Sequence, residues 1–372
     1  MIVAVAVAAA LAALWSFGRA LSPRRSQLLV PDDAMLGLLP VSVVIPARNE
    51  AASLPVLLAS LAACTGAPAE VIVVDDASTD ATAQIAATHG AVVVSAPPLP
   101  MGWTGKNWAC HTGAQHATAP RLLFLDADTR LAPSAISALL AAHDAAGRGL
   151  LSVQPFHRTG RIVEDLSALF NAVSLFGTGA FSLRPPQPMR MAFGPCLLID
   201  RDDYERIGGH ACVRAEVVED IALAQRCADA GLTVSCRLGG QQVSFRMYPL
   251  GWRALVQGWT KNIAAGARRA PVAASVPAVA WVAAMAAVAV ATLGGLVSWA
   301  GGGDVPSAAL AAWVIVAAQL MVVLRRIGSF RIVTALLFVV PLVCFLGVFA
   351  RSAMLIGRGA TATWRGRQVP VR

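Results

Sequence analysis

Charge is scarce in this 372-residue sequence: Asp, Glu, Lys and Arg make up 14% of it, against 56% hydrophobic residues. Ordinary soluble domains carry about 25% charged residues, so the composition argues against a purely soluble globular enzyme and for a bilayer partner. The same apolar surplus excludes disorder. Paired cysteines are missing too. Cys64, Cys110, Cys196, Cys212, Cys227, Cys236 and Cys344 contain no C-x-x-C, and an odd, scattered set argues against a disulfide framework or a zinc site. They read as buried reduced thiols. There is no internal repeat, no low-complexity linker, no Walker loop and no G-x-G-x-x-G dinucleotide pattern. Acidic residues are the scarcer sign, 21 against 30 basic, a net charge of +9. The basic residues sit beside apolar runs and not on a recognition helix, which points to anionic lipid or a phosphorylated ligand and away from nucleic acid.

What the sequence does have is long apolar runs. Met1–Leu21 is almost continuously apolar and is followed by Arg24 and Arg25, the reverse of a signal peptide's order, so it reads as a retained anchor. Further runs cover about Val272–Trp299, Ala308–Leu324 and Ile332–Phe349, each near the ~20 residues that cross hydrocarbon. Lys261, Arg268 and Arg269 precede the second run and Arg325, Arg326 and Arg331 follow the third, which places those flanks in the cytoplasm; Gly301–Asp304 has no basic residue and belongs outside. Simple parity would export the tail, yet it carries Arg351, Arg358, Arg365, Arg367 and Arg372. The expectation is therefore a kinked or re-entrant hairpin at Pro341 that returns the tail to the cytoplasm. The organisation expected is an anchor at 1–21, a cytoplasmic domain at 40–270, transmembrane helices at 272–357 and a basic tail at 358–372.

Within 40–270, short apolar runs alternate with helical spacing. Val41–Ile45, Val71–Val74, Val92–Val94 and Leu122–Leu125 read as buried strands, with helices over Glu50–Ala63 and Thr79–His89. The fold class expected is α/β: a mixed, mainly parallel sheet with helices on both faces. Such sheets bind ligands at the carboxyl ends of their strands, and there the sequence turns acidic: Asp75-Asp76 after the second strand and Asp126-Ala127-Asp128 after the fourth. Side chains two apart on an extended chain point to one side, which suits a divalent cation that also holds phosphate oxygens. Glu219-Asp220 is a third acidic pair. Between them, Gly102–Ala109 (GWTGKNWA) sets glycines and Lys106 together as a possible anion site.

VSVVIPARNE, VIVVDDASTD, GKNWA…GA, LLFLDADT and VVED, in that order, resemble the membrane-attached family 2 glycosyltransferases of GT-A fold, over roughly Pro40–Arg269. GWTGKNWAC, YERIGGH, RMYPLGW, GWTKN and TWRGR sharpen the resemblance to the carotenoid-acid branch; the hopanoid-associated enzymes match the back half less well. The resemblance implies that Pro46, Arg48 and Glu50, with Asp75 or Asp76, hold the nucleotide. It also implies Lys106 and Asp126 at the donor diphosphate, Asp126 and Asp128 holding Mg2+ or Mn2+, and Asp220 beside Glu219 as the general base. The donor implied is a nucleotide-sugar such as UDP-glucose, and the acceptor a lipid or terpenoid at the plasma membrane. Trp252, Trp259, Lys261 and Trp364 are candidates for acceptor or interface contact. A polyprenyl-phosphate or hopanoid sugar transferase would share the donor site. The processive-synthase motif Q-x-x-R-W is absent, Gln257–Lys261 (QGWTK) standing in its place, which argues against polymer synthesis.

Overall fold

Continuous β-branched runs build the sheet. The computed structural model describes the chain except residues 31–36, 148, 365–366 and 371–372, together with the side chains of residues 25, 38 and 361–372. The strands are β1 (Gly37–Ala47), β2 (Gly66–Asp75), β3 (Val92–Ser95), β4 (Arg121–Leu125), β5 (Thr129–Leu131), β6 (Gly149–Gln154), β7 (Phe156–His157), β8 (Cys196–Asp200), β9 (Thr233–Leu238), β10 (Val243–Phe245), β11 (Thr361–Trp364) and β12 (Arg367–Pro370). Seven of them form one sheet in the order β3-β2-β1-β4-β8-β6-β9; β5, β10 and β7 form a small second sheet, and β11 and β12 pair as a two-stranded sheet. β3, β2, β1 and β4 run parallel, as does the β6–β9 pair, while β8 runs antiparallel to both its neighbours. The sheet is thus mixed and mainly parallel, as expected, with an antiparallel insertion the apolar pattern alone did not reveal.

The chain divides into two compact units. A sheet unit comprises Ser26–Phe156, Pro186–Met247 and Gly359–Arg372, and a helical unit comprises Met1–Arg25, His157–Pro185 and Tyr248–Arg358. The stretch 40–270 is therefore not one domain: His157–Pro185 and Tyr248–Ala270 group with the apolar helices. Their side chains explain it, since Phe170, Phe176 and Trp259 are buried within the helical unit, Trp259 stacked on Phe170 at 4.9 Å and its Nε1 donating to Ser167 Oγ at 3.3 Å.

In the sheet unit, Val43 and Ile45 of β1 face a core shared with Leu54, Leu57 and Leu61 of one helix and Ile136, Leu139 and Leu140 of another. Val44 faces the opposite way, toward the helix Gly105–His116, where it meets Gly113. Both sides of β1 are covered, which is why its run is apolar without alternation. Gly113 permits the closest approach: a Cβ there would crowd Val44 and stand 2.9 Å from Val74 Cγ2.

In the helical unit, Ile2–Leu21, Val272–Ala300, Ser307–Ile327 and Val339–Gly357 are long and apolar enough to cross a membrane. The fourth apolar stretch begins differently from expectation. A short helix, Ile332–Leu336, ends before Phe338, and Val339–Gly357 then runs unbroken. Pro341 falls in its first turn, where a missing N–H leaves no bond unmade, so it starts a helix where a hairpin was expected.

Replacing Gly113 with Val should lower the stability of the sheet unit by about 2 kcal/mol, the usual cost of overpacking. Thermal unfolding of the full-length protein in detergent checks this; an unchanged midpoint would mean that the helix moves off the sheet without penalty.

Candidate active site

The carboxyl ends of β1, β2 and β4 lie at one edge because the three strands are parallel. The strand order reverses beside β1, the position at which such sheets open a crevice for ligands. After β1, the backbone of Arg48–Ala51 is laced to the loop after β2. Asp76 N donates to Ala47 O at 2.8 Å, Arg48 Nη1 donates to the carbonyls of Asp76 and Ala77 at 2.5 and 3.2 Å, Thr79 N donates to Asn49 Oδ1 at 2.8 Å, and Glu50 N donates to Thr82 Oγ1 at 2.8 Å. Asn49 and Ala77 adopt left-handed conformations, φ 53° and 51°, to make this exchange. Asp76 is buried, 7% exposed, whereas Asp75 is half-buried: its Oδ2 accepts from Ser78 N, and its Oδ1 is buried without a partner among the described residues. Asp75 therefore has hydrogen-bonding capacity to spare.

After β4, the Asp-Ala-Asp turn is pinned by its backbone. Asp126 N donates to Pro195 O at 3.0 Å, Thr129 Oγ1 donates to Asp126 O at 2.8 Å, and Arg246 N donates to Asp128 O at 3.1 Å. Ala127 is buried while Asp126 and Asp128 stay half-exposed, although the three residues form a turn and not the extended chain that the sequence suggested. Glu219 and Asp220 open the helix Glu219–Asp229, where its positive end favours carboxylates. The helix Gly105–His116 brings the cation. Lys106 Nζ lies 2.7 Å from Asp126 Oδ1 and 2.8 Å from Glu219 Oε1, linking residues from three separate segments.

Burial alone would push the Lys106 ammonium down, but the Asp126 and Glu219 carboxylates hold it well above its usual value. Asp220 moves the other way from an ordinary carboxylate: burial first, and then the Glu219 charge beside it, push its carboxyl up toward neutrality. Gly194 leaves room for it, since a Cβ there would stand 3.2 Å from Asp220 Oδ2.

Asn107 was absent from the expected site, yet it holds the arrangement. Fully buried, it donates through Nδ2 to Val213 O, Arg214 O and Glu216 O at 2.8, 3.2 and 3.0 Å, and Thr104 N donates to Arg214 O at 2.8 Å. These bonds fasten the loop that leads into Glu219-Asp220 to the start of the lysine helix. The GKNW run was the available signal. The YERIGGH run has a similar structural meaning: His210 N donates to the Tyr204 hydroxyl at 3.0 Å, and Gly209, at φ 51°, lies where any side chain would strike the Tyr204 ring. Trp103 and Trp108 pack edge to face at 4.9 Å, and Trp108 Nε1 donates to Pro97 O at 2.9 Å.

Asp126 and Asp128 offer oxygen ligands only. Among the described residues no group of three or more His, Cys, Asp or Glu side chains could hold a metal by itself. A cation at this turn would complete its shell from substrate oxygens, the habit of Mg2+, so the residues fit the expected group. The acceptor candidates lie elsewhere in the chain. Trp252, 59% exposed, Trp259 and Lys261 belong to the helix Trp252–Arg269 of the helical unit. Trp259, expected in an interfacial belt, is instead 7% exposed and packs in that unit's core, because its ring stacks on Phe170. Trp364 is in β11, and its side chain lies outside the described residues.

Comparison with known proteins bears on this geometry. Residues 42–208 match the family model described as Glycosyl transferase family 2. The chain is similar to the 4,4'-diaponeurosporenoate glycosyltransferase of Staphylococcus aureus strain USA300, 39% identical over 231 residues, which are 61% of each chain. The protein of that name in strain MRSA252 is 40% identical over the same length. The matched stretch thus spans about three fifths of these relatives. Among solved structures, a mannosyltransferase from Pyrobaculum calidifontis, in complex with GDP-Man and Mn2+, is 19% identical with a TM-score of 0.49, covering 84% of this chain and 98% of that one. Glucosyl-3-phosphoglycerate synthase from Mycobacterium tuberculosis, with Mn2+, UDP and phosphoglyceric acid, is 23% identical with a TM-score of 0.42, covering 62% and 78%. Lys106, Asp126 and Asp128 lie within the stretch that matches the Glycosyl transferase family 2 model, and Glu219 and Asp220 follow just after it.

Proposed function

We propose that the chain is an inverting glycosyltransferase that moves a sugar from a nucleoside-diphosphate donor, UDP-glucose being the expected one, to a hydrophobic acceptor of the carotenoid-acid or terpenoid kind. One observation carries the reading: Lys106 lies between Asp126 and Glu219, with Asp220 next in the chain, in a family 2 domain whose chain also has helices apolar enough to cross a membrane. The name of the Staphylococcus relatives supports the choice of acceptor. The sheet unit belongs on the cytoplasmic side of the plasma membrane, where nucleotide-sugars are made.

Each residue then has a task. Asp75, with its unsatisfied oxygen, accepts hydrogen bonds from the nucleoside, and the loops after β1 and β2, tied by Arg48 and Glu50, shape the pocket beside Pro46. Asp126 and Asp128 hold Mg2+ or Mn2+, which when bound neutralises charge on the departing diphosphate. Lys106 exchanges its contact with Asp126 for a donor phosphate oxygen. The acceptor oxygen attacks the anomeric carbon from the face opposite the diphosphate, the carbon–oxygen bond to phosphate breaks, and configuration inverts. A hydroxyl acceptor gives its proton to Asp220, whose raised proton affinity matches that role. A carboxylate acceptor has no proton to give, and Asp220 then only orients it.

Asp128→Asn should abolish transfer while the protein stays folded and membrane-inserted, and EDTA should abolish transfer by the wild type. Near-full activity in EDTA would count against a metal at Asp126 and Asp128.

Asp220→Asn should lower kcat on a hydroxyl acceptor by about 10²–10⁴-fold, the usual worth of a general base, and leave nucleotide-sugar affinity within a few-fold. Wild-type turnover should rise as pH climbs through neutrality, because the base must lose its proton, and this limb should vanish in the variant. Stability should run the opposite way: the folded chain holds the Asp220 proton more tightly than the unfolded chain, so this contribution is full in acid and fades as pH rises. Full turnover of Asp220→Asn on a carboxylic-acid acceptor alone would identify the acceptor's chemistry; full turnover on a hydroxyl would dismiss the base.

A further inference from the structure

The four apolar helices do not keep the same company. Ile2–Phe17, Val272–Ala300 and Ser307–Ile327 pack chiefly on one another, and Arg326 ties the third to the short turn Gly18–Leu21 that follows the first by donating to Leu21 O at 3.0 Å. Val339–Gly357 packs chiefly on Trp252–Arg269, with further contact to Ile162–Ser167, Val272–Ala300 and Ala168–Thr178. Its buried residues Pro341, Leu342, Phe345, Val348 and Ser352 form one stripe. Phe345 lies 5.2 Å from Phe170, and Ser352 Oγ donates to Thr260 O at 2.6 Å and accepts from Ala264 N at 3.4 Å.

The partner helix limits where this pair can lie. Trp252–Arg269 carries Arg253, Lys261, Arg268 and Arg269 and is not among the helices apolar enough to cross. Packed along a crossing helix, it would take those cations into hydrocarbon, which disfavours charge strongly. Lying flat, it keeps them at the headgroups. The ends of the apolar helix point the same way. Before it, Ser329 N donates to His157 O at 2.8 Å, while Arg331 Nη1 and Thr334 Oγ1 donate to Asp165 Oδ2 at 3.0 and 2.9 Å. His157 follows directly on Phe156, a residue of the sheet unit. After it, Gly359–Arg372 groups with the sheet unit. Basic residues mark both flanks: Arg325, Arg326 and Arg331 ahead, Arg351 and Arg358 at the end.

We infer that Val339–Gly357 does not cross the bilayer but lies in its plane, in the leaflet on the sheet-bearing side, with Trp252–Arg269 alongside. Its exposed Val340, Val343, Leu346 and Met354 face the acyl chains. The chain then crosses three times, and its carboxyl end shares a side with the sheet. This reading stands apart from the transferase chemistry and survives if that chemistry is wrong.

Full-length protein carrying single nitroxide labels at Val340→Cys, Val343→Cys, Gly347→Cys and Met354→Cys, in phosphatidylethanolamine–phosphatidylglycerol vesicles, gives the depth of each site from oxygen and nickel-chelate accessibility. The four labels should report similar, shallow depths. A crossing helix would instead separate positions 340 and 354 by about 21 Å along its axis, at 1.5 Å per residue, with depths passing through the midplane, and that result would overturn the inference. Replacing the native cysteines could disturb folding, so reporters fused after Gly303, Gly328 and Arg372 of the otherwise wild-type chain provide an independent measurement. Those after Gly328 and Arg372 should share a side and the one after Gly303 should lie opposite. A reporter after Arg372 on the side opposite Gly328 would equally overturn the inference.

Discussion

One ammonium between two carboxylates governs the sheet unit. Lys106 reaches Asp126 and Glu219 from a helix that packs on β1 and β2, so its position depends on how closely that helix approaches the sheet. Gly113 sets that approach through its contact with Val44 and Val74, and Asn107 converts the helix's position into that of the loop before Glu219. Three acidic residues, Asp126, Glu219 and Asp220, gather near the Lys106 ammonium. Burial, and then the Glu219 charge beside it, raise the proton affinity of Asp220.

Much of this was legible in the sequence, and the reasons differ by residue. Val41–Ile45 and Leu122–Leu125 are apolar without alternation because both faces of the sheet are covered, and acidic residues directly after such runs mark strand ends. Asp126 and Asp128 could therefore be singled out before any coordinate was known. Direction could not. β8 is as apolar as its neighbours, and only its partners in space, β4 on one side and β6 on the other, make it antiparallel. Asn107 was hidden for a related reason: a buried amide takes its meaning from three carbonyls more than 100 residues away in the chain.

The helical unit shows where hydropathy stops being informative. Val339–Gly357 has the length and composition of a crossing helix, and nothing in its own residues distinguishes it from Ser307–Ile327. Its neighbours do. A window of apolar residues measures affinity for hydrocarbon but not orientation within it, which is set by packing and by the charges at the ends. Trp259 teaches the same lesson on a smaller scale: tryptophan favours the membrane interface on average, yet a stacking partner and a hydroxyl acceptor in the interior outweigh that preference here.

The reversed direction of β8 decides how one stretch of chain reaches the acidic edge of the sheet. Its first residue, Cys196, pairs with Leu125 at the end of β4, so the segment Pro186–Pro195 enters the acidic edge from the opposite sense to every loop that leaves a parallel strand there. Pro195 O is fixed to Asp126 N, and Phe193 is fixed to Ser152 through its N–H and carbonyl. Upstream of those two anchors the segment is held as well, with Met189, Met191 and Ala192 buried and Arg190 paired with Asp229, so the chain that enters the acidic edge from this side has little freedom to change length.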